Sequence, residues 1–468
     1  MLRSFSHNAA KVTNGISSRQ SSKIHVPAWR PASPLDDSDD IRWVGKDARP
    51  ISLRQLMVFG RSLTEARLIS SANYVRTELP TSCTISESLI NHHGRLAHRI
   101  RDMQTLPYVV VTNPHMSQVY ELYYKAFESL RRVREVKTLD DNDKLCQVIT
   151  TTLQEHLTVI PTLAMGVLEC RDLMRPEDMD KFMNTILRSH AAANGILEYR
   201  GYLDVLLQHL ALTETFNSHW HFSESKPIET EFVGEVFLKC NAKEVVERVG
   251  KEVQALISVT FGTTTPMPEI RLAGHLEATF PYILSHLEYI VGELLRNSVQ
   301  AVVERQRNGR NPYQQPPAID VTVCEAPQHV IIRVSDQGGG IPRDILPYLW
   351  SFSKGPRSTQ RLENLTQVPK MAATMQELKV SEIPPEFRET LAQHGPTTRD
   401  SSLSSLSSRP PNLRLGMGLP LSRVYAEYWA GSLELHSLEG YGCDAFLQIS
   451  KLGNKNEQLT MRASMDAV

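Results

Sequence analysis

The stretch that most constrains this chain is AIDVTVCEAPQHVIIRVSDQGGG. Ile319, Val321 and Val323 alternate with Asp320, Thr322 and Cys324, and a second apolar run, HVIIRVSD, follows a short break at Pro327. Period-two alternation marks a strand with one buried face, so the two runs form a hairpin. A second pair, SLELHSL and DAFLQISKL, is divided by the turn residues Glu439, Gly440, Tyr441 and Gly442. A helical segment precedes each pair, which makes the C-terminal half a mixed α/β layer structure.

The N-terminal half has a different texture. From about Leu53 to Leu212, apolar residues recur at helical spacing, as in Val119, Leu122, Tyr123 and Phe127, and again in Leu145, Val148, Ile149 and Leu153. Pro107, Pro161 and Pro176 punctuate these segments, as expected near helix ends. Several such helices in succession form a bundle. At 468 residues, and roughly 150 residues per domain, two or three domains are expected.

Composition narrows the function classes. Lys plus Arg is 51 and Asp plus Glu is 52, for a formal net charge of -1; a whole-surface nucleic-acid binder needs a basic excess. No apolar run approaches the roughly 18 residues of a spanning helix. The six cysteines are widely spaced and none forms a C-x-x-C pair, which argues against a zinc ribbon or redox motif. Between Met1 and Leu35 there is no acidic residue, while Arg3, Lys11, Arg19, Lys23 and Arg30 stand among Ser and Ala. That is the composition of a mitochondrial import signal, ending before the acidic run at Asp36.

Three segments carry candidate chemistry. In the helix HLEYIVGELLRNSVQAVVE, Leu287, Ile290, Val291, Leu294 and Val302 make the apolar stripe. Glu293 and Asn297, four residues apart, lie within about 40° of each other around the axis. Asp336-Gln-Gly-Gly-Gly-Ile-Pro follows a strand directly; its glycines admit a ligand close to the backbone, and its carboxylate can accept from an exocyclic amine. Leu415-Gly-Met-Gly-Leu-Pro opens a helix whose free N–H groups and positive dipole end suit a phosphate. It is neither a Walker A loop nor a dinucleotide fingerprint. Between these last two segments, the chain from 356 to 412 is rich in Ser, Pro, Gln and Thr and reads as a disordered insert.

In this order, E-x-x-x-N, D-x-G-G-G and G-x-G-L-P resemble the ATP site of the gyrase, chaperone and histidine-kinase superfamily. The surrounding text, ELLRNS, SDQGGGIP and GMGLPLSRVYAEYWAGSLELHSLEGYGCDAF, with RLAHRIRDMQTLPYVV, VIPTLAMGV and QHLAL in the helical half, is similar to the mitochondrial kinases of the pyruvate and branched-chain 2-oxo acid dehydrogenase complexes. The resemblance implies an N-terminal four-helix bundle over 45–230 and an α/β sandwich ATP-binding domain over 232–455, with the 356–412 insert as a disordered ATP lid. Residues 1–40 would be the transit peptide and lead, and 456–468 a tail.

It also implies site roles. Glu293 corresponds to the general base for the substrate serine and Asn297 to the ligand of Mg²⁺ on ATP. Asp336 corresponds to the reader of the adenine amine, with Gly338 and Gly340 in its glycine box. Gly416 and Gly418 fall on the phosphate loop, and Arg296, Ser353, Met417 and Leu419 complete the implied ATP-binding set. The implied activity is serine phosphorylation that inactivates the dehydrogenase component of the pyruvate complex in the mitochondrial matrix. The branched-chain complex, or an impaired ATP-binding scaffold, is the alternative. Implied partners are that dehydrogenase component, the lipoyl-bearing acyltransferase core and a second copy of the chain.

Departures from the family pattern are Arg296 for Lys, Gln300 for Arg, Arg414 for the first loop glycine, Cys443 for Thr, and Tyr289 where pyruvate-type members carry His. The tail lacks the Asp-Trp pair of pyruvate-type members. Two segments fit no family pattern, SCTISESLINHHG from Ser82 to Gly94 and HAAANGILEYRGYLDVLL from His190. The first reads as a loop protruding from the bundle. The second replaces an arginine-rich helix that lines an inhibitor pocket, of which His156 remains. A histidine kinase is disfavoured because no His-Glu phosphoacceptor motif precedes the ATP half.

Overall fold

The computed structural model describes residues 64–78, 96–156, 158–187, 206, 209–213, 216, 232–233, 236–262, 265–309, 315–355, 358–367 and 414–451. The import-like N-terminus, the segments 82–94 and 190–205, and the tail lie outside them.

Among the described residues, the N-terminal part contains helices and turns and no strand. Helix α1 (Glu65–Glu78), α2 (Leu96–Gln104), the single turn α3 (Tyr108–Val111), α4 (Pro114–Arg131), α5 (Leu139–His156), α6 (Val159–Glu169) and α7 (Pro176–Leu187) follow one another. The three prolines fall at helix starts as expected: Pro107 stands at the N-cap of α3, Pro161 is the third residue of α6 and Pro176 opens α7; Pro114 likewise opens α4, where a missing N–H costs nothing. Asn113 caps α4 by accepting from His115 and Met116 N–H. Helix α4 lies centrally against α2, α5 and α6, and α1 packs on α5. Met116, Val119, Tyr123, Phe127 and Leu130 form its buried stripe, the spacing legible in the sequence.

The C-terminal part is a two-layer α/β structure. Strands β1 (Phe232–Val233), β2 (Val236–Asn241) and β4 (Thr279–Ile283) make a small antiparallel sheet. Strands β3 (Ile270–Gly274), β5 (Ile319–Glu325), β6 (His329–Asp336), β8 (Gly442–Ser450) and β7 (Ser432–Leu438) make the main sheet, in that spatial order. Both hairpins form as expected, with Asp320 opposite Ser335 and Ser437 opposite Cys443. The sequence patterns do not announce β3, which joins the edge parallel to β5, or the small sheet.

Helices α8 (Ala242–Phe261), α9 (Leu284–Arg307) and α11 (Gly418–Tyr428) supply the second layer. The sheet buries Ile319, Val321, Val323, Val330, Ile332, Val334, Leu433, Leu447 and Ile449. Its other face carries the half-exposed pair Arg333–Asp444 at 2.9 Å.

The insert needs one correction. Of the segment 356–412 read as a disordered lid, residues Ser358–Gln367 form helix α10. Leu365 joins the core at 6% exposure and Asn364 is 7% exposed, so this turn-rich sequence still buries one apolar side. The rest, 356–357 and 368–412, lies outside the described residues.

The two parts are joined at a carboxylate. Asp180 of α7 accepts from Ser351 Oγ (2.5 Å), Phe352 N–H (3.1 Å), Ser353 N–H (3.1 Å) and Ser353 Oγ (2.9 Å). Four donors on one carboxylate hold the turn that leads into α10. Arg171, just after α6, donates to Thr359 of α10 at 3.3 Å.

Candidate active site

Helix α9 is the spine of the site, and the rule of four explains how. Glu293, Asn297, Ala301 and Arg305 recur at i, i+4 and so share one face. Glu293 is 3% exposed, whereas Asn297, one turn on, is exposed. Ala301 lies under the glycine box; a Cβ at Gly338 would come within 2.6 Å of the Ala301 Cβ. Arg305 then clamps the box, donating to the carbonyls of Gln337 (2.8 Å), Tyr441 (2.7 Å) and Gly440 (2.8 Å).

Strand alternation aims Asp336. Val330, Ile332, Val334 and Asp336 are the buried residues of β6, so the carboxylate points to the helix layer like the valines before it. There Oδ2 accepts from Ser298 Oγ at 2.9 Å and Oδ1 from Gly338 N–H at 2.8 Å. Burial pushes its pKa up, and these hydrogen bonds partly oppose the shift. The Cys443 backbone N–H is a third donor to this carboxylate, which leaves it about one lone pair for a further donor. Gly340, at φ +72°, makes the turn that lets this segment pass over β7, where a Cβ would fall 2.3 Å from Leu438 O.

The third segment meets the first. At Gly418 a Cβ would fall 1.9 Å from Glu293 Oε2; only glycine lets the first turn of α11 rest on this carboxylate. Residues 293 and 418 come from different helices that pack against each other, so this contact belongs to the tertiary fold. Gly416 has φ +70° and lies against the side chain of Arg361, from α10. Met417 is 3% exposed and Leu419 is half-buried against the core.

Arg296 is buried beside Glu293, with Nη1 at 3.9 Å from Oε1. Ser353 is held elsewhere, its hydroxyl and N–H both given to Asp180. Residues that the sequence patterns left unremarked are Ala301, Arg305, Ser298, Glu304 and Arg361. Only the first two had a sequence signal, the continuation of the i+4 row from Glu293.

The departures from the family pattern find structural partners. Arg414 Nη2 contacts both Glu304 oxygens at 2.6 and 2.5 Å, and Gln300 Nε2 donates to the same carboxylate at 2.8 Å. Thus the residues that replace a glycine and an arginine converge on one acid and tie the loop before Gly416 to α9. Cys443 sits opposite Asp336 in the ladder, its Sγ 3.6 Å from Ser437 Oγ. Tyr289, one turn before Glu293, is buried with its ring 5.0 Å from that of Tyr425. Nearby, Trp429 Nε1–H donates to His286 Nδ1 at 3.0 Å. In the helical part His156 is buried, its Nδ1 2.9 Å from Thr152 O and its ring edge-on to Tyr123.

Comparison with known proteins agrees with this layout. Residues 283–452, which span all three segments, match the family described as histidine kinase-, DNA gyrase B- and HSP90-like ATPase. Residues 50–237 match the family described as mitochondrial branched-chain alpha-ketoacid dehydrogenase kinase. The mitochondrial pyruvate dehydrogenase (acetyl-transferring) kinase 2 of Saccharomyces cerevisiae is 30% identical over 448 residues, covering 90% of this chain and 85% of that protein. The chain belongs to the mitochondrial 2-oxo acid dehydrogenase kinase family. The pyruvate dehydrogenase (acetyl-transferring) kinase of Arabidopsis thaliana is 29% identical and covers 92% of this chain and 97% of its own. Isozyme 4 of the rat enzyme is 26% identical, covering 87% and 82%.

Proposed function

We propose that this protein is an ATP-dependent serine kinase that phosphorylates, and so inactivates, the dehydrogenase component of the pyruvate dehydrogenase complex in the mitochondrial matrix. The observation that carries the reading is the contact of the buried Glu293 carboxylate with Gly418 at the start of α11, with Asn297 open one turn away. A base at a helix N-terminus can take the proton of a hydroxyl as phosphoryl transfer begins. In the reaction the serine oxygen bonds to the γ-phosphorus, the bond to the β-phosphate oxygen breaks, ADP leaves and the proton goes to Glu293. Asp336 accepts from the adenine amine, and Gly338 and Gly340 let the base approach the backbone. The N–H groups of Gly416, Met417, Gly418 and Leu419 face the triphosphate, where charge develops.

Mg²⁺ fits this residue set as a companion of the nucleotide. Asn297 offers one carboxamide oxygen, a hard donor of the kind Mg²⁺ takes. Among the described residues no group of three or more His, Cys, Asp or Glu could hold a metal by itself, so phosphate oxygens and water would supply the remaining ligands. The ion neutralises charge on the phosphate oxygens when bound.

Pyruvate is favoured over the branched-chain complex because the named full-length relatives are pyruvate dehydrogenase kinases, although the helical half matches a model named for the branched-chain enzyme. Mitochondrial placement follows those relatives' names, and no helix among the described residues is long and apolar enough to cross a membrane. Docking on the lipoyl-bearing acyltransferase core and pairing of two copies through the α/β half belong to the same proposal.

The test is transfer from labelled ATP to purified pyruvate and branched-chain dehydrogenase components side by side, with Glu293→Gln as control. Labelling of the pyruvate component, reduced about 10² to 10⁴-fold in the control, is expected. Exclusive labelling of the branched-chain component would move the assignment to that complex. Labelling of neither, with ATP still bound, would favour the scaffold.

A further inference from the structure

Arg361 is the one lysine or arginine of α10, and it is packed in an unusual place. Helix α10 turns Leu365 and Asn364 inward, and Arg361, one turn earlier than Leu365, follows the same side. Its guanidinium lies against two glycine turns. A Cβ at Gly416 would fall 2.3 Å from Arg361 Nε and 2.5 Å from Cζ, and one at Gly355 would fall 3.1 Å from Nη2. Both turns therefore have backbone, and no side chain, where this cation sits.

The guanidinium has five N–H donors. Among the described residues its hydrogen bonding is a single long contact, Nη1 to Lys354 O at 3.4 Å, and it makes no ion pair. The acid that acts on it electrostatically, Asp180, already accepts four hydrogen bonds from Ser351, Phe352 and Ser353. Desolvation depresses the Arg361 pKa, so the site carries a cost for holding a cation. That cost is met if an anion binds there. Two residues beyond Gly416, Gly418 opens α11 on Glu293, so the cation borders the helix start where the triphosphate is expected.

We propose that Arg361 is a phosphate-binding residue of the kinase, its planar fork taking phosphate oxygens of the nucleotide from the side opposite the N–H groups of α11. The inference rests on the nucleotide-binding reading above. A planar guanidinium suits two phosphate oxygens at once, whereas an ammonium contacts them as a point charge. The prediction is selective: the residue serves the phosphates and leaves adenosine alone.

The experiment measures ATP, ADP and adenosine affinity by titration calorimetry on the full chain, for the wild type, Arg361→Gln and Arg361→Lys. Loss of a charged hydrogen-bond pair predicts that Arg361→Gln weakens ATP and ADP by about 10- to 100-fold, with adenosine changed less than about twofold. Arg361→Lys should regain part of the loss. The melting temperature of the nucleotide-free protein should hold or rise in Arg361→Gln, since a desolvated charge is removed. Unchanged ATP affinity in Arg361→Gln, with the wild type binding ATP, overturns this inference and leaves the nucleotide site standing. Equal weakening of adenosine also overturns it, because the residue would then be shaping the pocket. If Arg361→Gln does not fold, Arg361→Lys decides by the same ATP-to-adenosine comparison. A wild type that binds no ATP overturns both readings.

Discussion

Gly418→Ala isolates the role of Glu293. Gly418 is in the first turn of α11 with no left-handed φ, so alanine strains no backbone, and its helix propensity is better than that of glycine by up to ~1 kcal/mol. The added methyl, however, meets Glu293 Oε2 at 1.9 Å and Cδ at 2.7 Å. Ordinary contact begins near 3.4 Å, so the carboxylate must retreat by about 1.5 Å. A displacement of about 1 Å in a reacting group can cost about 10²-fold in rate. The expected result is a fall of about two orders of magnitude in kcat, with ATP affinity and melting temperature near the wild-type values. Single-turnover transfer from labelled ATP, calorimetric ATP binding and a thermal melt measure the three quantities on one preparation. A variant with wild-type kcat would show that Glu293 has no need of that position. Loss of ATP binding with kcat retained at saturation would show that the methyl blocks the phosphates and leaves the base alone.

Three further predictions address other levels. Asp336→Ala should weaken ATP binding by about 1 to 3 kcal/mol and barely affect GTP, which lacks the adenine amine; an unchanged ATP-to-GTP ratio in competition binding would remove the residue from base reading. His209, 1% exposed between Ser71 Oγ (3.1 Å) and Asn142 Oδ1 (2.9 Å), has its pKa pushed down to about 4 from 6.5 by burial. The unfolded chain therefore binds the proton first, and stability should fall by up to about 3 kcal/mol as pH drops from 6.5 towards 4. His209→Gln should flatten that part of a denaturation-versus-pH curve, and an identical slope in the variant would refute the assignment. Asp180→Ala strips the Ser351–Ser353 turn of its acceptor and should cost about 2 to 4 kcal/mol, with faster hydrogen exchange at Phe352 and Ser353; unchanged exchange at those amides would mean that the turn holds without α7.

Local pattern carried a good part of this protein. Period-two alternation marked the first hairpin and turn residues the second; the structure adds that Asp336 is in phase with the buried Val330, Ile332 and Val334. Helical spacing gave α4, α5 and the buried stripe of α9, and it set Glu293 and Asn297 on one side. Those features depend on residues a few positions apart, where backbone geometry alone dictates direction. The order of the three site segments suggested the ATP-binding superfamily, and the text around them narrowed it to the family.

What local pattern does not contain is the meeting of segments far apart in the chain. Glu293 touches Gly418, Arg414 and Gln300 share Glu304, Asp180 of one part binds Ser353 of the other, and β3 joins β5 in parallel. Helix α10 is the plainest instance: its Ser, Thr, Gln and Asn content disfavours independent folding, yet Asn364 donates to Arg414 O at 3.0 Å and Leu365 is covered by the core. Such contacts are decided by burial and hydrogen bonding across elements, which have no period in the sequence. The chemistry-bearing residue types were therefore readable one by one, while their assembly around Glu293 was decided only when α9, α10 and α11 packed together.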